Sequence, residues 1–227
     1  MKLETLQALL ADREAKRPVV LVQNLDSGDE RLVHPDDTGD PLIASVREAA
    51  RDDNGGIVDA EGQRIFLNVF NPPLRLAVVG AAHIAQPLTR MAALAGYDVT
   101  VIDPRRAFAS EDRFPGVSLC HDWPDEAMAA FKPDSRSAVV TLTHDPKLDD
   151  PALGIAIRSE AFYIGALGSG RTHAKRKDRL AAEGFGEEEM ARIHGPVGLD
   201  IGAKSPAEIA VSIMAEITQA LRRRVAV

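Results

Sequence analysis

Residues 74–86 read LRLAVVGAAHIAQ, an apolar run that ends at a glycine and continues into a segment with helical spacing. A second apolar run, VTVI at 99–102, ends at Asp103, which lies 23 positions after Gly80. A strand, a glycine turn, a helix and a second strand ending in an acidic residue form the dinucleotide-binding βαβ unit. This stretch therefore predicts the start of a Rossmann-like parallel sheet.

The same alternation of apolar runs and helical segments continues towards the C-terminus. Near-continuous apolar strands are typical of a parallel sheet that helices cover on both faces. We expect strands at 74–79, 99–102, 117–120, 137–142 and 162–166, and helices at 83–95, 125–132, 151–159 and 171–183. A last helix begins at the capping box Ser205-Pro206-Ala207-Glu208 and reaches a solvated end at Arg222-Arg223-Arg224.

Residues 1–73 read differently, as short strands, turns and two helices without regular alternation. The segment Asn71-Pro72-Pro73 is a stiff break before the parallel-sheet pattern begins. The predicted fold class is therefore α/β, with a Rossmann-like doubly wound parallel sheet over residues 74–227. A small N-terminal α+β domain over residues 1–73 precedes it.

Composition excludes several classes of function. The chain has 227 residues, a net charge of −7 and one cysteine, Cys120. An acidic chain is a poor general binder of nucleic acid or anionic membranes, and no apolar run approaches the length of a membrane span. One cysteine excludes an internal disulfide and a multi-cysteine zinc site, and Cys120 itself reads as a core residue, with redox activity as the alternative. Because the N-terminus lacks a signal-peptide core, we expect a reducing cytosol.

The turn after the first strand, Gly80-Ala81-Ala82-His83, keeps only the first glycine of the dinucleotide fingerprint. The Cβ of Ala82 stands where glycine lets the backbone approach a diphosphate. NAD(P) is an alternative ligand here, with Asp103 at a ribose, or Arg105 and Arg106 at a 2′-phosphate. The competing role for Asp103 is a helix or turn cap.

A second turn, Thr143-His144-Asp145, follows the fourth predicted strand, at the edge where open α/β sheets bind ligands. His144 could exchange a proton with a ligand, oriented by Asp145. Alternatively, Asp145 caps the following turn and His144 is simply exposed.

A third turn, GALGSGRT at 165–172, carries the stronger anion signal. Glycines allow close backbone approach, amides at a helix N-terminus point outward, and an arginine offers a bidentate fork. The predicted anion cradle consists of Gly165, Gly168, Ser169, Gly170 and Arg171. The alternative is that glycine serves tight packing alone.

A glycine-containing loop, His194–Gly202, precedes the last helix and holds Asp200. It either lines a ligand or acts as a rigid connector. The histidines outside residues 1–73 do not have i, i+4 spacing, so we expect no metal site.

From Leu74 to Arg224 the chain resembles the XdhC/CoxI family, the accessory factors of xanthine dehydrogenase and related molybdenum hydroxylases. The motifs that carry the resemblance are VGAAHIAQ at 79–86, VIDPR at 101–105, THD at 143–145, GALGS at 165–169, RTH at 171–173, HGPVGLDIG at 194–202 and SPAEIA at 205–210. The resemblance implies a chaperone that binds molybdenum cofactor, as molybdopterin or its dinucleotide form. It also implies help with sulfuration by a cysteine desulfurase, and delivery to the apo-hydroxylase.

Together with this resemblance, the three turns and the loop give one set of candidate cofactor-binding residues: Gly80, Ala82, His83, Asp103, Arg105, His144, Asp145, Gly165, Gly168, Ser169, Gly170, Arg171 and Asp200.

Two features depart from the family pattern. The family turn usually reads Gly-x-Gly-His, whereas Ala82 replaces its second glycine here. The usual Gly-Gly-Cys segment is missing from residues 1–73. These departures argue against sulfur handling by a cysteine of this chain, and a longer paralogue becomes a further predicted partner.

Three functions follow from the sequence. The first is a cofactor-binding maturation factor that turns over no substrate. The second is an NAD(P)-dependent oxidoreductase with His144 as the acid. The third is a docking module that contacts the hydroxylase or the desulfurase without holding a ligand. A homodimer, formed through a sheet edge or the last helix, is left open.

Overall fold

The computed structural model describes residues 1–223. Arg224 of the basic triplet and the predicted domain end at Val227 lie outside the described residues. The chain divides into two compact units, Met1–Pro72 and a second unit that begins at Pro73. Among residues 1–223, none of the helices combines the length and apolar character that a bilayer crossing needs.

The first unit is an antiparallel sheet with two helices. Its elements are α1 (Leu3–Glu14), β1 (Val19–Asn24), β2 (Glu30–Val33), α2 (Ile43–Asp52), β3 (Gly56–Ala60) and β4 (Gln63–Phe70). The strand order is β2-β1-β4-β3. Val20 and Val22 of β1 pack with Val46 of α2 and Leu67 of β4. Val19 and Leu21, which point to the other face of β1, are also buried.

The second unit is a six-stranded parallel sheet. Its elements are β5 (Leu74–Val79), α3 (Ala85–Leu94), β6 (Tyr97–Ile102), β7 (Ser118–Cys120), α4 (Pro124–Phe131), β8 (Ser137–Thr141), α5 (Pro146–Ile157), β9 (Tyr163–Ala166), α6 (Gly170–Ala182), α7 (Glu187–Ala191), β10 (Ile193–His194) and α8 (Pro206–Arg222). The strand order is β10-β9-β8-β5-β6-β7, and every described pairing in this sheet is parallel. The predicted Rossmann-like α/β fold is confirmed.

Helices cover both faces of this sheet, which explains the continuous apolar strands. Along β5, Leu76 and Val78 enter one core cluster, which contains residues of α3 and α8. Ala77 and Val79 enter a second cluster, which contains residues of α4, α5 and α6. Successive strand side chains point to opposite faces, so a strand buried on both sides has no polar face.

Local capping chemistry explains where α5 and α8 begin. The capping box at Ser205 is confirmed: its Oγ accepts from the Glu208 amide and Pro206 occupies the first turn of α8. The helix expected at 151–159 begins earlier, at Pro146, because Asp145 caps it and Pro146 suits the first turn. Pro151 therefore lies inside α5. The sequence patterns did not predict α7 or the two-residue β10.

The strand order places a switch point between β5 and β8. The chain runs from β5 to β6 and β7 on one side, then returns to build β8, β9 and β10 on the other. Loops after β5 and β8 therefore diverge at the carboxyl edge of the sheet. In open α/β sheets this divergence opens the crevice that binds ligands.

Candidate functional site

A cleft of about 590 Å³ opens at the switch point. Its walls are the turn after β5, the loop after β6 and the turn after β8. The residues that line it are Ala81, Ala82, His83, Arg105, Phe108, Arg113, Leu142, Thr143, His144, Asp145 and Pro146. Five of the sequence-predicted residues thus meet in one cleft: Ala82, His83, Arg105, His144 and Asp145.

Gly80 lets the turn after β5 pack closely against the turn after β8. Its φ of +101° is unfavourable for other residues, and a Cβ there would overlap the Thr143 side chain. The Thr143 hydroxyl donates to Asp149 Oδ1 at 2.6 Å and accepts from the Asp145 amide at 3.1 Å. The first glycine of the fingerprint is therefore required by the close approach of the β8 turn.

Asp103 is fully buried and stabilises the first turn. Its Oδ2 accepts from the Ala81 amide and from Arg105 Nη2, each at 2.8 Å, and its Oδ1 accepts from Arg105 N and Nε at 2.9 Å. Burial opposes ionisation of Asp103, but these hydrogen bonds outweigh it and hold its pKa below the ordinary value. Since both oxygens are engaged, the geometry matches the turn-cap role better than a contact with a ribose.

Two guanidinium groups lie near an aromatic ring in the cleft wall. The Arg105 guanidinium lies 4.7 Å from the Phe108 ring centroid, and the Arg113 guanidinium lies 5.9 Å from it. Phe108 is 47% exposed although it is large and apolar. The wall therefore offers both positive charge and a ring face, which suits an anionic ligand with a flat heterocycle.

The first turn also leaves backbone donors unused. The amides of Ala82, His83 and Ile84 donate no hydrogen bond to residues 1–223, and α3 begins without a side-chain cap. His83 and His144 are exposed at the cleft. Asp145, by contrast, is occupied as a cap, since its Oδ1 accepts from the Lys147 amide at 3.0 Å.

The glycine-rich turn after β9 does not line this cleft. A Cβ at Gly165 would lie 2.9 Å from Tyr163 Oη, and one at Gly168 would lie 2.9 Å from the Thr172 side chain. Ser169 Oγ accepts from the Thr172 amide at 3.2 Å and so caps α6. Packing therefore accounts for these two glycines.

The rest of this turn faces solvent. Gly170 has open space around it, and Arg171 is exposed. The amides from Gly168 to Arg171 donate no hydrogen bond within the described part of the chain. An anion cradle at this turn stays a prediction.

A buried arginine on α6 donates a hydrogen bond to the turn after β9. Arg176 is 1% exposed, its Nη2 donates to the Leu167 carbonyl at 2.8 Å, and it lies 3.6 Å from Asp149 Oδ2. Its Nε and Nη1 have no hydrogen-bond partner among the described residues. Burial raises the pKa of Asp149 and lowers that of Arg176. Because Asp149 also holds Thr143, this network connects the turns after β8 and β9.

The loop His194–Gly202 connects β10 to α8. Its Val197 amide donates to Ala166 O at 3.2 Å and its Leu199 amide donates to Ser212 O at 3.2 Å. Asp200 is exposed and does not line the switch-point cleft. A ligand role for Asp200 stays a prediction.

Sequence reasoning missed Phe108 and Arg113, and it named Thr143 in the second turn without giving it a role. The signal for the first two was their loop, which follows the carboxyl end of β6, where ligand-binding loops lie. Within residues 1–223, no three His, Cys, Asp or Glu side chains gather so that they could hold a metal ion.

Comparisons with known proteins agree with this architecture. Residues 76–217 match the family model described as the XdhC Rossmann domain. A Bacillus subtilis (strain 168) protein, named as a probable xanthine dehydrogenase subunit, is 36% identical over 164 residues, which cover 72% of this chain and 47% of that protein. The molybdenum cofactor insertion chaperone PaoD of Escherichia coli (strain K12) is 34% identical over 148 residues, which cover 65% of this chain and 40% of that protein.

A solved structure gives the same result for the fold. The crystal structure of a xanthine dehydrogenase from Bacillus halodurans superimposes with a TM-score of 0.72 at 25% identity, covering 98% of this chain and 65% of that one. The match to each of the two curated relatives above spans less than half of that relative's length.

Proposed function

The chain belongs to the XdhC family, and on that premise we propose that it binds a molybdenum cofactor and assists its insertion into a molybdenum hydroxylase. The name of the PaoD relative supports the insertion role, and the name of the Bacillus subtilis relative supports a hydroxylase as the client. When bound, the cofactor supplies the molybdenum centre that the client enzyme needs. We place this role in the cytoplasm.

The single observation that carries the proposal is the donor set of the switch-point cleft. Arg105 and Arg113 bring two guanidinium groups, although Nε and Nη2 of Arg105 are paired with Asp103. The amides of residues 82–84 donate no hydrogen bond to the described residues. Molybdopterin carries a phosphate, and guanidinium groups and free amides at a helix N-terminus are the donors that bind phosphate in proteins. The residues present therefore fit the anionic part of this cofactor.

The rest of the cleft fits a flat heterocycle, such as the base of the dinucleotide form. The exposed ring of Phe108 offers a stacking face, and His83 and His144 offer groups that donate or accept hydrogen bonds. Ala82 keeps a diphosphate from approaching the backbone as closely as glycine would allow. We therefore assign the phosphate to the guanidinium side of the cleft, with the free amides as supporting donors.

Sulfuration is assigned to partners of this chain. Cys120 is partly buried, and its burial raises the pKa of the thiol, which disfavours the reactive thiolate. A cysteine desulfurase, or a longer paralogue with its own cysteine, would supply the sulfur. In this proposal the present chain holds the cofactor while the partner modifies it.

Purification from cells that make molybdopterin tests the proposal. The protein is oxidised after purification, and released pterin is measured by its fluorescence. We expect wild-type protein to carry pterin, and Arg113→Ala combined with His144→Gln to retain about tenfold less. Arg90→Ala, an exposed arginine on α3 outside the cleft, is the matched control and should retain the wild-type amount. Wild-type protein without pterin, from cells shown to contain it, would refute the proposal.

A further inference from the structure

A second cluster of polar side chains lies at the end of β10, outside the switch-point cleft. His194 Nδ1 lies 3.0 Å from Glu216 Oε1, and Glu216 is carried by α8. Tyr163 Oη donates to Glu216 Oε2 at 2.5 Å, and the Gly198 amide donates to the same oxygen at 2.7 Å. Glu216 therefore accepts hydrogen bonds from three parts of the chain at once.

These contacts determine the state of the imidazole. Burial opposes ionisation of Glu216, but the bonds from His194, Tyr163 and Gly198 lower its pKa, so the carboxylate is the acceptor. An ionised partner at Nδ1 requires the proton on Nδ1 and leaves the Nε2 lone pair available in the neutral ring. Nε2 makes no hydrogen bond to the described residues, and the His194 side chain is 41% exposed.

The ring is also held in one orientation. Its centroid lies 4.7 Å from that of the Tyr163 ring, with 32° between the ring planes. A histidine that is oriented by a carboxylate and a neighbouring ring, with its second nitrogen open, is prepared to accept a hydrogen bond from a ligand.

His194 lies on the same sheet as the switch-point cleft, at the end of β10. His194 pairs with Gly165 of β9, so it stands near the carboxyl edge on which the cleft also opens. Arg105 and Arg113 follow β6, and between β6 and β10 lie four strand spacings of about 4.8 Å, or about 19 Å in total. Rossmann sheets bind a dinucleotide with one half on each side of the switch point. His194 lies in the half made of β8, β9 and β10, and the turn with the free amides from Gly168 to Arg171 follows β9.

We propose that the cofactor bound at the switch-point cleft extends over β8 and β9, so that an N–H of its pterin ring donates to His194 Nε2. The nucleotide end of its dinucleotide form then stays at Arg105 and Arg113, with the base against Phe108. Charge distinguishes the two ends, because the guanidinium groups attract phosphate, whereas the carboxylate behind His194 repels it and favours an N–H donor. This inference rests on the proposed function and adds the orientation of the ligand within it.

Histidine NMR on the full chain tests this orientation. The chain has six histidines, so six Cε1–H signals can be assigned with single His→Gln variants. The probes are pterin-6-carboxylate for the ring end and cytidine 5′-monophosphate for the phosphate end. We expect the pterin to shift the His194 signal, and the nucleotide to shift those of His83 and His144. A pterin that shifts only His83 and His144 overturns the inference but leaves the proposed function intact, whereas no shift with either probe overturns both.

Variants and the tautomer give a second test. We expect His194→Gln to weaken pterin-6-carboxylate binding about fivefold, the size of one neutral hydrogen bond, and to leave nucleotide binding unchanged. Nitrogen-15 shifts should show the Nδ1–H tautomer in wild-type protein and its loss in Glu216→Gln, together with a similar loss of pterin affinity. His34→Gln, in the first unit, is the control. A wild-type His194 that carries its proton on Nε2, or unchanged pterin affinity in His194→Gln, contradicts the inference.

Discussion

The turn after β5 and the turn after β9 lie on the same edge of one sheet, and each begins a helix. The turn after β9 has more glycines and a neighbouring arginine, yet two of its glycines serve packing and Ser169 caps its helix. The turn after β5 has one glycine, an uncapped helix and a cleft with two arginines. Glycine content therefore does not by itself indicate a ligand site, and we base our proposal on the turn that borders a cavity.

The largest expected effect is the loss of stability when Arg176, which contacts the turn after β9, is replaced. Arg176→Met removes the guanidinium that faces buried Asp149, and removal of one partner of a buried ion pair costs about 3–5 kcal/mol of unfolding free energy. Urea unfolding measures it. Arg171→Met, exposed in the same helix, should change stability by less than about 0.5 kcal/mol.

The same variant has an expected pH dependence. The pKa of Asp149 is already raised by burial, and loss of Arg176 raises it further. A carboxyl whose folded-state pKa is raised destabilises the fold as pH rises from its unfolded value, about 3.9, through the folded value. The loss in Arg176→Met should therefore be larger at neutral pH than near pH 4, and Asp149→Asn in the same protein should remove that difference. Equal losses at both pH values would contradict this assignment.

The next prediction compares the stability effects of replacing one glycine in each of the two turns. Gly80→Ala should destabilise the protein by about 2–3 kcal/mol, because it combines an unfavourable φ with overlap on Thr143. Gly170→Ala should be neutral or stabilising by up to about 1 kcal/mol, since nothing lies near its Cβ position. Thermal unfolding of both variants checks the pair. A stable Gly80→Ala would mean that the two turns do not pack as described.

A smaller effect tests the role of Asp103. Asp103→Asn should cost about 2 kcal/mol at neutral pH, because Arg105 and the Ala81 amide lose a charged acceptor. The pKa of Asp103 is lowered in the fold, so its contribution is present above the unfolded value of about 3.9 and is lost as pH falls through the folded value. Unfolding curves of both proteins should therefore converge in strong acid. A constant difference across pH would show that the charge is unimportant.

The strands and helix starts of the second unit could be predicted because short stretches of sequence determine them. The apolar run at Leu74–Val79 and the capping box at Ser205 each lie within a few residues, and both appear in the structure as expected. Strand β10 could not, because it has only two residues and depends on pairing with β9.

The site was less predictable because its contacts join distant residues. Tyr163 and Glu216 are 53 positions apart, and no local pattern connects them. In α6, the basic run does not show which arginine is buried. The available signal was helical spacing, since Arg176 lies four residues before the buried Leu180 and so shares its face, whereas Arg171 does not.

Native mass spectrometry of freshly purified protein tests most directly whether the cleft after β5, and not the turn after β9, holds the cofactor. Three proteins from molybdopterin-producing cells are compared: wild type, Arg171→Ala, and Arg113→Ala combined with His144→Gln. We expect a bound mass that matches the cofactor on wild type and on Arg171→Ala, and its loss from the double variant. A mass that persists on the double variant and disappears from Arg171→Ala would place the site at the turn after β9 and contradict our account.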